Sequence, residues 1–130
     1  MLNSGLVSLL NSDEALTSLI SGRIYPVLLP ESPTYPATTY RTLSAIPTYQ
    51  FAGSAGMVTT RIEFTAWATD YGTCKAIIEA IRNVLDGFTG ALGDGTNVSA
   101  CLRAGVMTDA FNSDARLYGV SVDYKLTHTE

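Results

Sequence analysis

Val58, Thr60, Ile62, Phe64 and Ala66 alternate with Thr59, Arg61, Glu63, Thr65 and Trp67. A repeat of two sends successive side chains to opposite faces of an extended chain, so this stretch predicts a β-strand with one apolar face and one mixed face. Shortly after Trp67 the period changes. Cys74, Ile77, Ile78, Ile81, Val84, Leu85 and Phe88 recur at three and four residues, while Lys75, Glu79, Arg82 and Asp86 take the other side, which predicts an amphipathic helix. Thr69 or Asp70 starts that helix, Gly87 ends it, and Glu79 can pair with Arg82 one turn on. A strand with one apolar face needs a cover for it, and a helix with one apolar stripe supplies such a cover.

The rest of the chain repeats the theme. Leu2, Leu6, Leu9 and Leu10, then Leu16, Leu19 and Ile20, have helical spacing interrupted at Asn11-Ser12-Asp13. Ser12 or Asp13 would cap a second short helix, Asp13 and Glu14 suit the positive end of its dipole, and Gly22 stops it. Pro26, Pro30, Pro33 and Pro36 lack backbone donors and discourage helix before them, so Tyr25 to Pro36 is expected to cross the fold as an extended segment. Ala37 to Ser44 is rich in β-branched and aromatic residues and reads as a first strand, followed by a loop from Ile46 to Met57. Gly90, Gly93, Gly95 and Asn97 mark a flexible turn. Val98, Ala100, Leu102, Ala104 and Val106 then share one strand face, and Tyr118, Val120, Val122, Tyr124 and Leu126 share another. Asp109 to Asp114 has turn composition and joins these last two as a hairpin with a long tip. The expected fold is α+β, a four-stranded antiparallel sheet with helices packed on one face, in the order α-β-β-α-β-β, as a single domain over residues 1–130 without repeat or linker.

Composition narrows the activity. With 130 residues, 46% hydrophobic and 15% charged, the chain can bury a core without a metal or a disulfide framework. Eight basic residues against twelve acids give a net charge of −4, and the basic ones are scattered, which argues against the clustered positive charge that nucleic-acid binding needs. No run approaches the ~20 apolar residues of a membrane span, and the first residues lack the basic opening of a signal peptide, so a cytosolic protein is expected. Cys74 and Cys101 are too few and too far apart for a metal knuckle or redox motif. Cys74 falls on the core face of the helix and Cys101 on the strand face opposite its apolar neighbours, so two unbonded thiols are expected. His128, the sole histidine, lies near the C-terminal end, where a frayed chain cannot hold a general base in place. Asp13, Asp70, Asp86, Asp94, Asp109 and Asp114 fall at turns and caps, roles that aspartate fills by bonding nearby backbone. Gly53 with Gly56, and Gly93 with Gly95, lack the strand-to-helix setting and the lysine of a phosphate cradle. Neither an enzyme nor a cofactor is expected.

What remains is contact chemistry. Thr59, Arg61, Glu63, Thr65 and Trp67 are expected to face away from the helices, together with Arg103 and Cys101. Tryptophan among arginine and acids suits a surface where proteins meet, though Trp67 at the strand end could equally cap the core beneath the first helix. The 46–57 segment, holding Tyr49, Phe51 and Met57, reads either as an arm that orders against a neighbour or as a mobile loop.

The Leu-rich helix pair, Gly22-Arg23-Ile24-Tyr25-Pro26, Leu29-Pro30 and Pro36-Ala37 leading to Thr39-Tyr40, and the strand from Arg61 to Ala66-Trp67 before an Ile-rich helix together resemble the tail-completion family of long-tailed bacteriophages and prophages. The likeness covers about the first two-thirds of the chain. It implies a structural protein of virion assembly, similar to tail terminators and head-tail joining proteins, that forms a homo-oligomeric ring, commonly a hexamer. The implied partners are further copies of itself, the tail tube protein and the head connector or adaptor, with DNA passing through the lumen unread and no membrane involved. The implied place is the virion tail at the head-tail junction, after assembly in the host cytoplasm. No catalytic residue is carried over, and the matching Arg23, Tyr25 and Trp67 are nominated as structural or interface positions. The interface candidates are Tyr49, Phe51, Met57, Arg61, Glu63, Trp67, Arg103, Asp109, Asn112 and Asp114, with the 46–57 loop and the 109–114 tip projecting toward lumen or partners. Two other readings compete. A small-ligand or regulatory α+β binding module would need a pocket lined by Tyr40, Phe64 and Tyr124, and a hydrolase would work through turn carboxylates such as Asp94 and Asp109.

Overall fold

The alternating stretch is the middle of a longer strand. A computed structural model describes residues 2–31, 34–50, 53–92, 95–112 and 116–129. Its elements are α1 (Leu2–Asn11), α2 (Glu14–Ile20), β1 (Ile24–Pro26), β2 (Ala37–Gln50), β3 (Gly53–Ala68), α3 (Tyr71–Leu85), β4 (Gly90–Ala91), β5 (Asn97–Asn112) and β6 (Leu117–Thr129). The strands form one sheet in the order β1-β2-β3-β6-β5-β4. Only β1 runs parallel to its neighbour, β2, and the other pairs are antiparallel.

The α+β class holds, but the four-stranded antiparallel sheet is corrected to six strands among the described residues, one of them parallel. The additions are β1, which overlaps the start of the segment read as a crossing, and β4, inside the Gly-rich turn. Each is a bridge of three or two residues, too short for any periodicity to register.

The strands are also longer than expected. Residues 46–50 and 53–57 are not loop: they extend β2 and β3, paired out to Gln50↔Gly53. Register shifts between Thr42 and Ser44, and between Pro47 and Tyr49, insert extra residues that scramble the alternation. At the other end, β5 continues into the supposed long tip as far as Asn112, pairing Asp109↔Val120 to Asn112↔Leu117. His128 does not sit in a frayed tail. It is 6% exposed in β6, with Nε2 2.7 Å from the Thr60 hydroxyl and Nδ1 donating to the Thr129 carbonyl at 2.7 Å.

The helix ends follow the sequence closely. Asp13 Oδ2 accepts from the Leu16 N–H at 3.0 Å and Asp70 Oδ2 from the Thr73 N–H at 3.0 Å, caps typically worth about 1 kcal/mol each. The α2 C-terminus closes with Ser21 at φ 51° and Gly22 at φ 76°, left-handed positions that glycine reaches without Cβ strain.

Leu6, Leu10, Leu16 and Ile20 from α1 and α2 join Ile77, Ile78, Ile81 and Leu85 of α3 over Ile62, Phe64, Val120, Val122 and Leu126 of the sheet in one buried cluster. Phe64 and Tyr124 meet edge to face at 6.4 Å. The Tyr124 hydroxyl donates to Asp86 Oδ1 at 2.6 Å, just past the end of α3. All three helices share this one core, so among the described residues the opposite sheet face carries no helix.

Candidate functional site

The open face is built by alternation across three paired strands. Register aligns Thr39, Thr65 and Ser121 in one row, Arg41, Glu63 and Asp123 in the next, and Ser44, Arg61 and Lys125 in the third. Thr65 and Ser121 share a hydroxyl bond of 3.0 Å. Arg41 Nε donates to Glu63 Oε1 at 2.9 Å, and Arg61 Nη2 to Asp123 Oδ2 at 2.8 Å. Partly exposed pairs of this kind contribute little to stability. Their effect is to leave a patterned surface on which cations pair with anions across strands.

Trp67 decides the shape of that surface. It stands on the open face between Ala37 and Gly119 and does not lie beneath the first helix. Its indole N–H donates to Thr39 Oγ1 at 3.0 Å, and its ring lies so close to Gly119 that a Cβ there would fall 2.9 Å from Cζ3. Only glycine leaves room for the indole at that position. Beside it, Val27 takes φ 65° and the Leu28 N–H bonds the Pro26 carbonyl at 2.7 Å, while the Val27 N–H bonds Tyr40 at 2.8 Å. This is a γ-turn of the strained kind, and it holds Val27 and Leu28 outward, 62% and 76% exposed. Val27, Leu28, Thr39, Tyr40, Arg41, Glu63, Thr65 and Trp67 enclose a cleft of about 230 Å³.

A second cluster lies at the β5 margin on the helix side. Tyr118 is flanked by Phe111 at 4.8 Å and by Tyr71 at 5.8 Å. The Tyr71 hydroxyl donates to Asp109 Oδ2 at 2.7 Å, and Lys75 Nζ lies 3.6 Å from Asp109 Oδ1 and 5.3 Å from the Tyr71 ring centre. Of this group only Asp109 was singled out from the sequence. Phe111 carried a signal, an aromatic residue in the middle of a turn-like stretch.

The candidates therefore divide. Arg61, Glu63 and Trp67 come together on the open face, with Met57 farther along β3 opposite Thr129. Asp109 belongs to the aromatic cluster. Arg103 pairs with Tyr124, which puts it on the helix side, and Cys101 pairs with Leu126 and is buried in the core. Both corrections have one cause, a register shift between Val98 and Ala100 that inserts a residue and reverses the phase of the strand, leaving Leu102 exposed. Tyr49 pairs with Ser54 and Asn112 with Leu117 at the hairpin ends. Phe51, Asp94 and Asp114 lie outside the described residues. Tyr25 pairs with Thr39 in β1, and Arg23 Nε donates to the Pro36 carbonyl at 2.8 Å.

Other chemistry is sparse. Among the described residues no three His, Cys, Asp or Glu side chains are grouped as metal ligands, and no helix is long and apolar enough to cross a membrane. Burial, with Asp86 nearby, pushes the Cys101 thiol from 9.0 up to about 12, and burial followed by the bond to Asp86 raises the Tyr124 phenol. The unfolded chain releases these protons at ordinary values, about 8.5 for Cys and about 10 for Tyr, whereas the folded chain keeps them. The native state then binds more protons, so stability is intact below about pH 8.5 and falls as pH rises toward 12. Urea midpoints should decline steadily across that range, and Cys101 should resist a thiol reagent at about pH 8 until denaturant is added. A midpoint that stays level through the alkaline range contradicts this assignment.

The open polar face carries a cleft at its β1–β2 margin, and an aromatic cluster stands at the β5 margin on the helix side. The family model described as tail completion protein gp17 matches residues 4–129, and the chain belongs to that family. It is thus a structural protein of the virion tail. A chain from the virion of native gene transfer agent (GTA) particle has a similar fold, with a TM-score of 0.75 at 14% identity over 96% of this chain and 92% of that one. No curated protein matches.

Proposed function

We propose that the protein completes the tail as a ring of identical copies at the head-tail junction, capping the tail tube and joining it to the head connector, without catalysis. The observation that carries this reading is the family match across residues 4–129. A closed ring needs two different patches on each subunit, because a head-to-tail contact joins one patch to another on the next copy. The open-face cleft and the aromatic cluster at opposite edges of the sheet supply two such patches. Six is the copy number that the resemblance implies. DNA passes through the lumen without specific reading, and assembly takes place in the host cytoplasm.

The competing ligand-binding reading loses its support in the core. Phe64 and Tyr124 are packed against each other and fully buried, and of the three residues that such a pocket would need only Tyr40 lines the cleft. At about 230 Å³ it is also smaller than the roughly 300–1,000 Å³ usual for small-molecule sites.

Native mass measurement at high protein concentration, with negative-stain microscopy, is expected to give one closed oligomer with a central hole. Deleting the gene is expected to leave filled heads and finished tails unjoined. A species that stays monomeric at hundreds of micromolar and shows no rings, or normal particles from the deletion, overturns the proposal.

A further inference from the structure

We infer that each copy inserts Phe111 of its β5 margin into the Trp67 cleft at the β1–β2 margin of the next copy. This rests on the ring reading and names the contact that closes the ring.

Four observations converge. The cleft, about 230 Å³, has a tryptophan wall and an exposed apolar lip at Val27 and Leu28, so it suits one aromatic side chain better than a free metabolite. Phe111 is 48% exposed yet braced at 4.8 Å by Tyr118, which presents it at little entropic cost.

Register supplies the third. Phe111 and Ala68 both pair with Tyr118, and Trp67 pairs with the adjacent Gly119. The knob and the cleft therefore sit within one residue of the same level along the strands, at opposite margins of the sheet. Two different patches at opposite margins are what a heterologous contact joins, and it forms a ring when the rotation between copies closes. Within one copy they cannot meet, because β3 and β6 lie between β2 and β5, a separation of three strand spacings of about 4.8 Å, and the two sites stand on opposite faces. Neighbouring copies then overlap edge over edge, the helix side of one on the open side of the next.

Charge is the fourth. Lys75 and Asp109 flank the knob 3.6 Å apart, and Arg41 and Glu63 flank the cleft 2.9 Å apart. Each patch carries one charge of either sign, so a single orientation sets Lys75 toward Glu63 and Asp109 toward Arg41, which fixes register more than it adds affinity.

The test uses the full chain with L28E, which spoils the cleft lip, and F111E, which spoils the knob, followed by sedimentation velocity and native mass. Each variant alone is expected to run as a monomer where the unaltered protein forms rings, with an unchanged far-UV circular dichroism spectrum. An equimolar mixture is expected to give a 1:1 dimer and nothing larger, since one intact knob still finds one intact cleft. Should F111E fail to fold, Phe111→Ala replaces it without placing a charge beside Tyr118. Rings formed by L28E or by the Phe111 variant overturn this contact and leave the ring reading standing. An unaltered protein that stays monomeric at hundreds of micromolar and shows no rings overturns both.

Discussion

Replacing Phe64 with alanine is expected to lower the free energy of unfolding by about 3–5 kcal/mol, the usual cost of truncating a buried phenylalanine. The site cannot collapse to relieve the loss. Phe64 is 1% exposed, between Tyr40 on β2 and Val122 on β6. The neighbouring Tyr124 ring cannot swing into the space without giving up its bond to Asp86 at 2.6 Å. Urea denaturation followed by circular dichroism should show a lower midpoint with little change in slope. A loss below about 1 kcal/mol is out of line with a close-packed core at this point and would mean that β3 does not turn Phe64 toward the helices.

Gly119→Val is expected to cost about 2–4 kcal/mol, combining overpacking with the loss of one hydrogen bond. Strand preference alone favours valine over glycine, so any destabilisation measures the collision. The new Cβ would lie 2.9 Å from Trp67 Cζ3, forcing the indole away from Gly119 and off Thr39 Oγ1. As Trp67 is the chain's one tryptophan, its emission should move to longer wavelength as the ring loses its packing and meets water. Unchanged stability and emission would place the indole elsewhere. Because the same ring walls the cleft, this variant is also expected to fail in ring assembly.

The α+β class was legible because β3, α3 and β6 carry unbroken periods, and the family likeness because Gly22 to Pro26 and the strand ending at Ala66-Trp67 before a helix stand as local motifs. In α3 the spacing of Cys74, Ile77, Ile78 and Ile81 matches the buried stripe, and the pairing of Glu79 with Arg82 follows at 2.8 Å. The open face at Arg61, Glu63 and Trp67 was legible for the same reason. β5 misled because its apparent alternation from Val98 to Val106 ignores the inserted residue that turns Cys101 inward and Leu102 outward. The aromatic cluster went unread because Tyr71, Phe111 and Tyr118 are brought together by three different elements.

By itself, then, the order of residues determined which segments coil or extend and which side of most of them shuns water, since those choices depend on neighbours a few positions away. The tertiary structure alone decided that two tiny strands finish the sheet, that His128 is held inside it, and that a cleft and an aromatic knob stand level at opposite margins. Each of those depends on pairing between distant segments, where a single inserted residue reverses a face and no local pattern records it.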